Sequence, residues 1–335
     1  MAADRDDSEP ADAAAPRPGP RETQGPREVP RLRDLPPPDE PEARPPRPPE
    51  TGPDLRERQQ AEHARYRQVV EVTVQASAAR DTWDRAAPEL RTEWEAHKQR
   101  YPAPERQPAS TQPDGSWLGD GGRRLSPEQN AEAGKCAADL SDEARQSIRP
   151  AMERIEAADP GRRLAGLEHM LKGDDRLKEK VADELNAEPG QDVRSAFGRI
   201  ADAVRFTLVY PSERYAEGVL GDVDRLKAEG FELMKLKNLW RADQYKGVNS
   251  QWRVTATGSR LEMQFHTAES REAKELTHEA YERIRAAEAI PAEEYDFAEE
   301  EALEDFQRRA NAVLRTPPGT DGIDDFPRKK EKSGG

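Results

Sequence analysis

Residues 258–267 read GSRLEMQFHT. On a strand, Leu261, Met263 and Phe265 would take one face and Glu262, Gln264 and His266 the other. A face that only meets solvent usually carries Lys, Thr or Ser. A carboxylate, an amide and an imidazole in a row are instead groups that ligate metals, move protons and hold phosphate oxygens. Asp202 stands at the entry to a second predicted strand, over 203–210. Two carboxylates from different strands, aimed at one sheet edge, make a minimal magnesium site. Magnesium takes hard oxygen ligands, commonly one or two protein carboxylates completed by water and substrate phosphates.

Cations and an aromatic group lie nearby in sequence. DRLKEK supplies Arg176, Lys178 and Lys180 at the start of a helix, with Arg176 and Lys180 sharing a face. Arginine forks two phosphate oxygens and lysine acts as a mobile point charge. On composition alone, a solvated face paired with Asp174, Asp175 and Glu179 is an equal reading. In YKGVN, Tyr245 beside Gly247, with Lys246 and Asn249, offers a ring to stack a base and polar groups for a ribose or phosphate. The alternative is a strand-initiating turn with a packed tyrosine. On the helix that follows the polar strand, Ser270, Lys274, His278, Tyr281 and Arg285 fall on one face. Glu272, Glu275, Glu279 and Glu282 lie elsewhere on the same helix.

The elements that must position these groups follow from pattern. AVRFTLVYP, FELMKLKNLW, and the pair SQWRVTAT and RLEMQFHT around Gly258-Ser259 read as strands, the last two as a hairpin. Helices are expected over 55–100 (with an apolar stripe at Tyr66, Val69, Val70 and Val74), from Ser126, over 141–157 with Ser141 as cap, and over LAGLEHMLK and DRLKEKVADEL. Others are expected over 215–230, 270–285 and 297–314. The fold class is α/β (α+β), a mixed sheet of about five strands flanked by helices. The expected organisation is a disordered Pro-rich tail to residue 54, a helical accessory region to 155 with a linker at 102–122, a sheet domain over 156–315, and a disordered tail from 316.

Composition agrees with a partly unfolded chain. Only 34% of the 335 residues are hydrophobic, 36% are charged and the mean hydropathy is −1.06. The first 53 residues hold 15 of the 29 prolines and almost no large apolar side chain, too little to offset their ordering entropy. The net charge of −14 argues against bulk nucleic-acid binding but not against a small basic pocket. One cysteine, Cys136, rules out an internal disulfide and a CxxC metal site. With no apolar run near the ~20 residues of a membrane span, a cytoplasmic protein without a membrane partner is expected.

Taken together, DAVRFTLV, LKAEGFELMKLKNLW, YKGVNSQW and LEMQFHTAESREAKELTHEAYERIR resemble, in order and spacing, the RelA/SpoT-like alarmone synthetases over about residues 160–290. The resemblance is to the toxin-like branch, with its YKGIN and ELQFHT motifs. Asn249 in the tyrosine loop, His266 in the strand motif, and Thr207 with Arg205 nearby where housekeeping members carry an arginine all fit that branch. The resemblance implies a nucleotidyltransferase-type fold and a magnesium-dependent pyrophosphokinase. Such an enzyme transfers pyrophosphate from ATP to the 3′-hydroxyl of a purine nucleotide, or alternatively to the 3′ end of tRNA. A catalytically silent nucleotide-binding module is the reading from another class. Asp202 and Glu262 then look like the metal and catalytic acids. Tyr245 looks like the base-stacking ring, and Arg176 and Lys178 like the phosphate grip. Lys246, Asn249, Gln264, His266 and Lys274 complete the substrate-binding set. A growth-inhibiting toxin with a neutralising antitoxin or immunity protein is the biological setting this branch implies.

Overall fold

A computed structural model describes residues 78–103, 108–287 and 297–327, all within one compact unit, Gln59–Gly335. The Pro-rich N-terminal segment and the 55–77 part of the first predicted helix lie outside the described residues. The remainder of that helix is present as α1, over 78–100.

Ahead of the main sheet, the predicted 102–122 linker is in part a small antiparallel sheet of β1 (Ser110–Thr111), β2 (Trp117–Leu118) and β3 (Arg124–Leu125). Strands of two residues leave no periodicity to read. What fixes them is Trp117, which is buried and donates from Nε1 to Asp175 at 2.9 Å. Ser126 caps α2 (Pro127–Glu143) as expected, in a reciprocal bond pair with Gln129. Ser141 is not a cap. The helix runs on through a π-turn, Ala144–Ile148, into α3 (Arg149–Ala157), which buries Met152 and Ile155.

LAGLEHMLK is not a helix. Gly166 in the left-handed region (φ 67°) ends β4 (Arg163–Ala165), and a short 3-10 turn follows. The chain continues through α4 (Asp174–Ala187), α5 (Val193–Arg199), β5 (Arg205–Tyr210), α6 (Tyr215–Ala228), β6 (Phe231–Asn238), β7 (Val248–Val254), β8 (Arg260–Thr267), α7 (Ala268–Ala287) and α8 (Phe297–Ala312). The five-stranded sheet has the order β4-β5-β8-β7-β6 and is mixed: β5 and β8 are parallel, the other pairs antiparallel. This is the expected fold class, with β4 as the strand the sequence did not announce.

One core joins the apolar face of the sheet to α2–α6, so Ile148 and Met152 share a cluster with Leu261, Met263 and Phe265. A second cluster packs Trp83 and Trp94 of α1 against Ala273 and Ala280 of α7 and Phe306 of α8. Residues 316–327 are not a free tail. Leu236 and Phe326 exchange backbone hydrogen bonds at 2.8 and 2.9 Å, and the Asp325 carboxylate accepts from the Asn238 N–H. No described helix is long and apolar enough to cross a membrane.

Candidate active site

The polar face of β8 becomes more buried along its length. Glu262 keeps 14% of its side-chain surface, Gln264 is 4% exposed and His266 is fully buried, while Leu261, Met263 and Phe265 on the other face lie wholly in the core. The parallel pairing sets Arg205 of β5 beside Glu262. The Nε of Arg205 lies 3.0 Å from Glu262 Oε1, and a terminal nitrogen of the same guanidinium lies 3.4 Å from Asp202 Oδ2. The two carboxylates therefore meet across one guanidinium and face a single cavity of about 1180 Å³.

Asp202 is ringed by cations: Lys172 Nζ at 3.2 Å from Oδ2 and Lys180 Nζ at 3.1 Å from Oδ1. Burial pushes its carboxyl up, but Lys172 and Lys180 outweigh that and hold it below the ordinary range. Lys172 in turn is pushed down by burial, with Asp202 opposing. It arrives through the backbone: Lys172 N–H donates to the Ala203 carbonyl, and Leu171 bridges Val204. Arg176 and Lys180 line the cavity from one face of α4; Lys178, two positions off that face, does not. Arg176 is already bridged to Glu179 and, across from α7, to Glu282 at 2.8 Å.

Glu262 is oriented by a short chain. Lys274 Nζ donates to Gln264 Oε1 at 2.7 Å, and Gln264 Nε2 donates to Glu262 Oε1 at 2.5 Å. Burial and the nearby Arg205 lower the Lys274 ammonium to about 8. His278, next on that helix face, is also pushed down by burial. The whole expected face of α7, Lys274, His278, Tyr281 and Arg285, lines the cavity, apart from Ser270 at its start.

His266 does not reach the cavity. Its Nδ1 is 2.9 Å from Ser270 Oγ and its Nε2 is 2.8 Å from Tyr245 Oη. Tyr245 Oη donates to Asn249 Oδ1 at 2.6 Å. Both ring nitrogens of His266 are thus engaged by hydroxyl groups. Burial, reinforced by Lys274 and Arg271, lowers the imidazole to about 3. It is thus a positioning residue: it holds the tyrosine hydroxyl so that the ring lines the cavity. Gly247 is required behind it, because at φ 154° a Cβ would lie 2.9 Å from the His266 ring and 3.0 Å from the Phe265 carbonyl. Lys246, also expected at the substrate, instead donates to the Trp240 carbonyl at 2.9 Å and lies off the cavity lining. At the strand–helix joint, Thr267 and Ser270 each accept the other's backbone N–H, which locks the start of α7 to the end of β8.

Of the ten residues expected at the site, seven line this cavity: Asp202, Glu262, Arg176, Tyr245, Asn249, Gln264 and Lys274. Lys172 and Lys180, not among the ten, stand closest to Asp202. Lys180 was findable from its four-residue spacing to Arg176; Lys172 had no local signal. Asp202 and Glu262 offer hard carboxylate oxygens of the kind magnesium takes, beside cations suited to phosphate; in this structure lysines hold both oxygens of Asp202 and Arg205 stands between the two carboxylates. Among the described residues no three His, Cys, Asp or Glu side chains converge as a metal-binding group.

No family model matches the chain, and no curated protein matches it. Among solved structures it is similar to small alarmone synthetase 1 from Bacillus subtilis bound to its product pppGpp, at 14% identity over 58% of this chain and 96% of that one, with a TM-score of 0.38. It is similar also to small alarmone synthetase 2 from Bacillus subtilis, at 13% identity over 56% and 91% with a TM-score of 0.36. A GTP pyrophosphokinase family protein from Streptococcus pneumoniae gives 12% identity over 56% and 87%, with a TM-score of 0.32. The chain is thus similar to alarmone synthetases, the proteins its motifs resemble.

Proposed function

We propose that this cavity binds ATP and a purine nucleotide and transfers the β,γ-pyrophosphate of ATP to the acceptor's 3′-hydroxyl. The observation that carries the reading is the meeting of Asp202 and Glu262 across the Arg205 guanidinium, on the wall of a lysine-lined cavity. Transfer of this kind needs positioning and charge neutralisation rather than covalent help. Lys172, Lys180, Arg205 and Lys274 bind the triphosphate oxygens, and Arg176 joins them when phosphate displaces Glu282. Tyr245, held by His266 and Asn249, presents its ring to the acceptor base.

Both contacts of Glu262 fall on Oε1. That leaves Oε2 to take the proton of the 3′-hydroxyl as its oxygen bonds to the β-phosphorus. The bond from that phosphorus to the bridging oxygen of the α-phosphate breaks, and AMP leaves. Asp202 and Glu262 would hold magnesium, which when bound would neutralise charge on the transferred phosphates.

The test is incubation of the purified chain with magnesium, ATP and, in turn, GDP, GTP, ADP, ATP alone and tRNA. AMP release dependent on one acceptor is expected. Absence of AMP with all of them contradicts the reading. Neutralisation by an antitoxin or immunity protein is part of the same proposal: expression of an active chain arrests growth and Glu262→Gln relieves the arrest.

A further inference from the structure

The far end of the α7 face has no role in the reaction as set out above. Tyr281 follows Lys274 by seven residues, which at about 1.5 Å per residue puts it roughly 10 Å further along the helix. The two ends of the cavity differ in charge. Lysines 172, 180 and 274 and Arg205 gather at the carboxylates, whereas the lining on the side of Tyr281 carries Glu279 and Glu299 together with Arg283 and Arg285. Arg283 pairs with Glu279 at 2.8 Å and with Glu299 at 3.3 Å. A triphosphate is therefore drawn to the first end, where cations outnumber carboxylates, more than to the second, where the charges are paired.

The second end offers an aromatic surface instead. Tyr281 is 47% exposed, and among the described large apolar side chains that are exposed it is the one that lines the cavity. The Arg285 guanidinium stands 5.9 Å from its ring centroid. An open ring backed by arginine stacks a nucleobase, and neighbouring carboxylates accept from an exocyclic amino group.

We propose that Tyr281, with Arg285, is the stacking platform for the adenine base of the phosphate donor, whose triphosphate extends toward Lys274, Lys180 and Lys172. The identity of the donor rests on the pyrophosphokinase reading; the platform rests on the geometry of α7.

The test is calorimetric titration of the full chain, with magnesium, by a non-hydrolysable ATP analogue and separately by inorganic triphosphate. Tyr281→Ala should weaken the analogue about tenfold, within the range measured for removing a stacked base partner, and leave triphosphate binding unchanged. Tyr281→Phe should bind both as the wild type does. An unchanged affinity of Tyr281→Ala for the analogue, or an equal loss for both ligands, overturns the proposal, as does a wild-type chain that binds no analogue. A wild type that shows the expected binding pattern yet releases no AMP with any acceptor refutes the pyrophosphokinase reading and still supports the platform. The exposure of Tyr281 keeps the substitution from disturbing the fold.

Discussion

Replacing His266 by glutamine tests the inner wall of the site through stability rather than activity. The imidazole is fully buried, bonded on both nitrogens, and lowered to about 3, chiefly by burial. In the unfolded chain an imidazole titrates near 6.5. Between those values the unfolded state binds a proton that the folded state refuses, so stability present above about 6.5 is lost as pH falls toward 3. At pH 5 the loss from this one group is about 2 kcal/mol, and at pH 7.5 it is about 0.1 kcal/mol. Glutamine does not titrate. Urea unfolding of wild type and His266→Gln at both pH values should therefore show their stability difference changing by about 2 kcal/mol, the wild type losing ground in acid. His97 and His278 titrate in both proteins and cancel in the difference. A difference that stays constant from pH 7.5 to pH 5 would mean that the imidazole is not held neutral, and the account of how Tyr245 is positioned would fail with it.

Three further outcomes follow from the same geometry. Gly247→Ala should destabilise the fold by about 2 kcal/mol or more, since it adds a strained φ to a Cβ overlapping the His266 ring; denaturant unfolding measures this. The KM for ATP should rise as pH passes through about 8 and Lys274 loses its charge, and Lys274→Arg should remove that limb, as steady-state kinetics from pH 7 to pH 9 would show. Trp94→Ala should cost about 3–5 kcal/mol by opening the second core, where the indole stacks on Phe306 at 5.2 Å, and thermal unfolding would register it.

Much of this candidate site is legible in the sequence, for reasons particular residues make plain. The strict alternation of LEMQFHT fixes which side chains share a face, and the four-residue steps of α7 do the same for Lys274, His278, Tyr281 and Arg285. What alternation could not tell was depth. Glu262 and His266 share a face, yet one reaches the cavity and the other lies under Tyr245, because the strand runs from the rim into the interior. Lys172 was invisible for another reason: it sits in a short connection and reaches Asp202 only through a bridge between Leu171 and Val204. Arg205 stood out only as a departure from a motif, whereas its role at the meeting of two carboxylates comes from the parallel pairing of β5 with β8, a long-range contact. β4 and the small sheet of β1–β3 are too short to carry a period, and Gly166 and Trp117 reveal them only once packed.

The proposed reaction depends on Asp202 and Glu262 acting together at one cavity. Its most direct test is AMP release from magnesium-ATP with the preferred acceptor, compared among wild type, Glu262→Gln and Asp202→Asn at matched, folded concentrations. Release by the wild type and a loss of about a hundredfold or more in each variant are expected, the scale for a general base or a charge-stabilising group. Release at the wild-type rate by either variant contradicts that dependence.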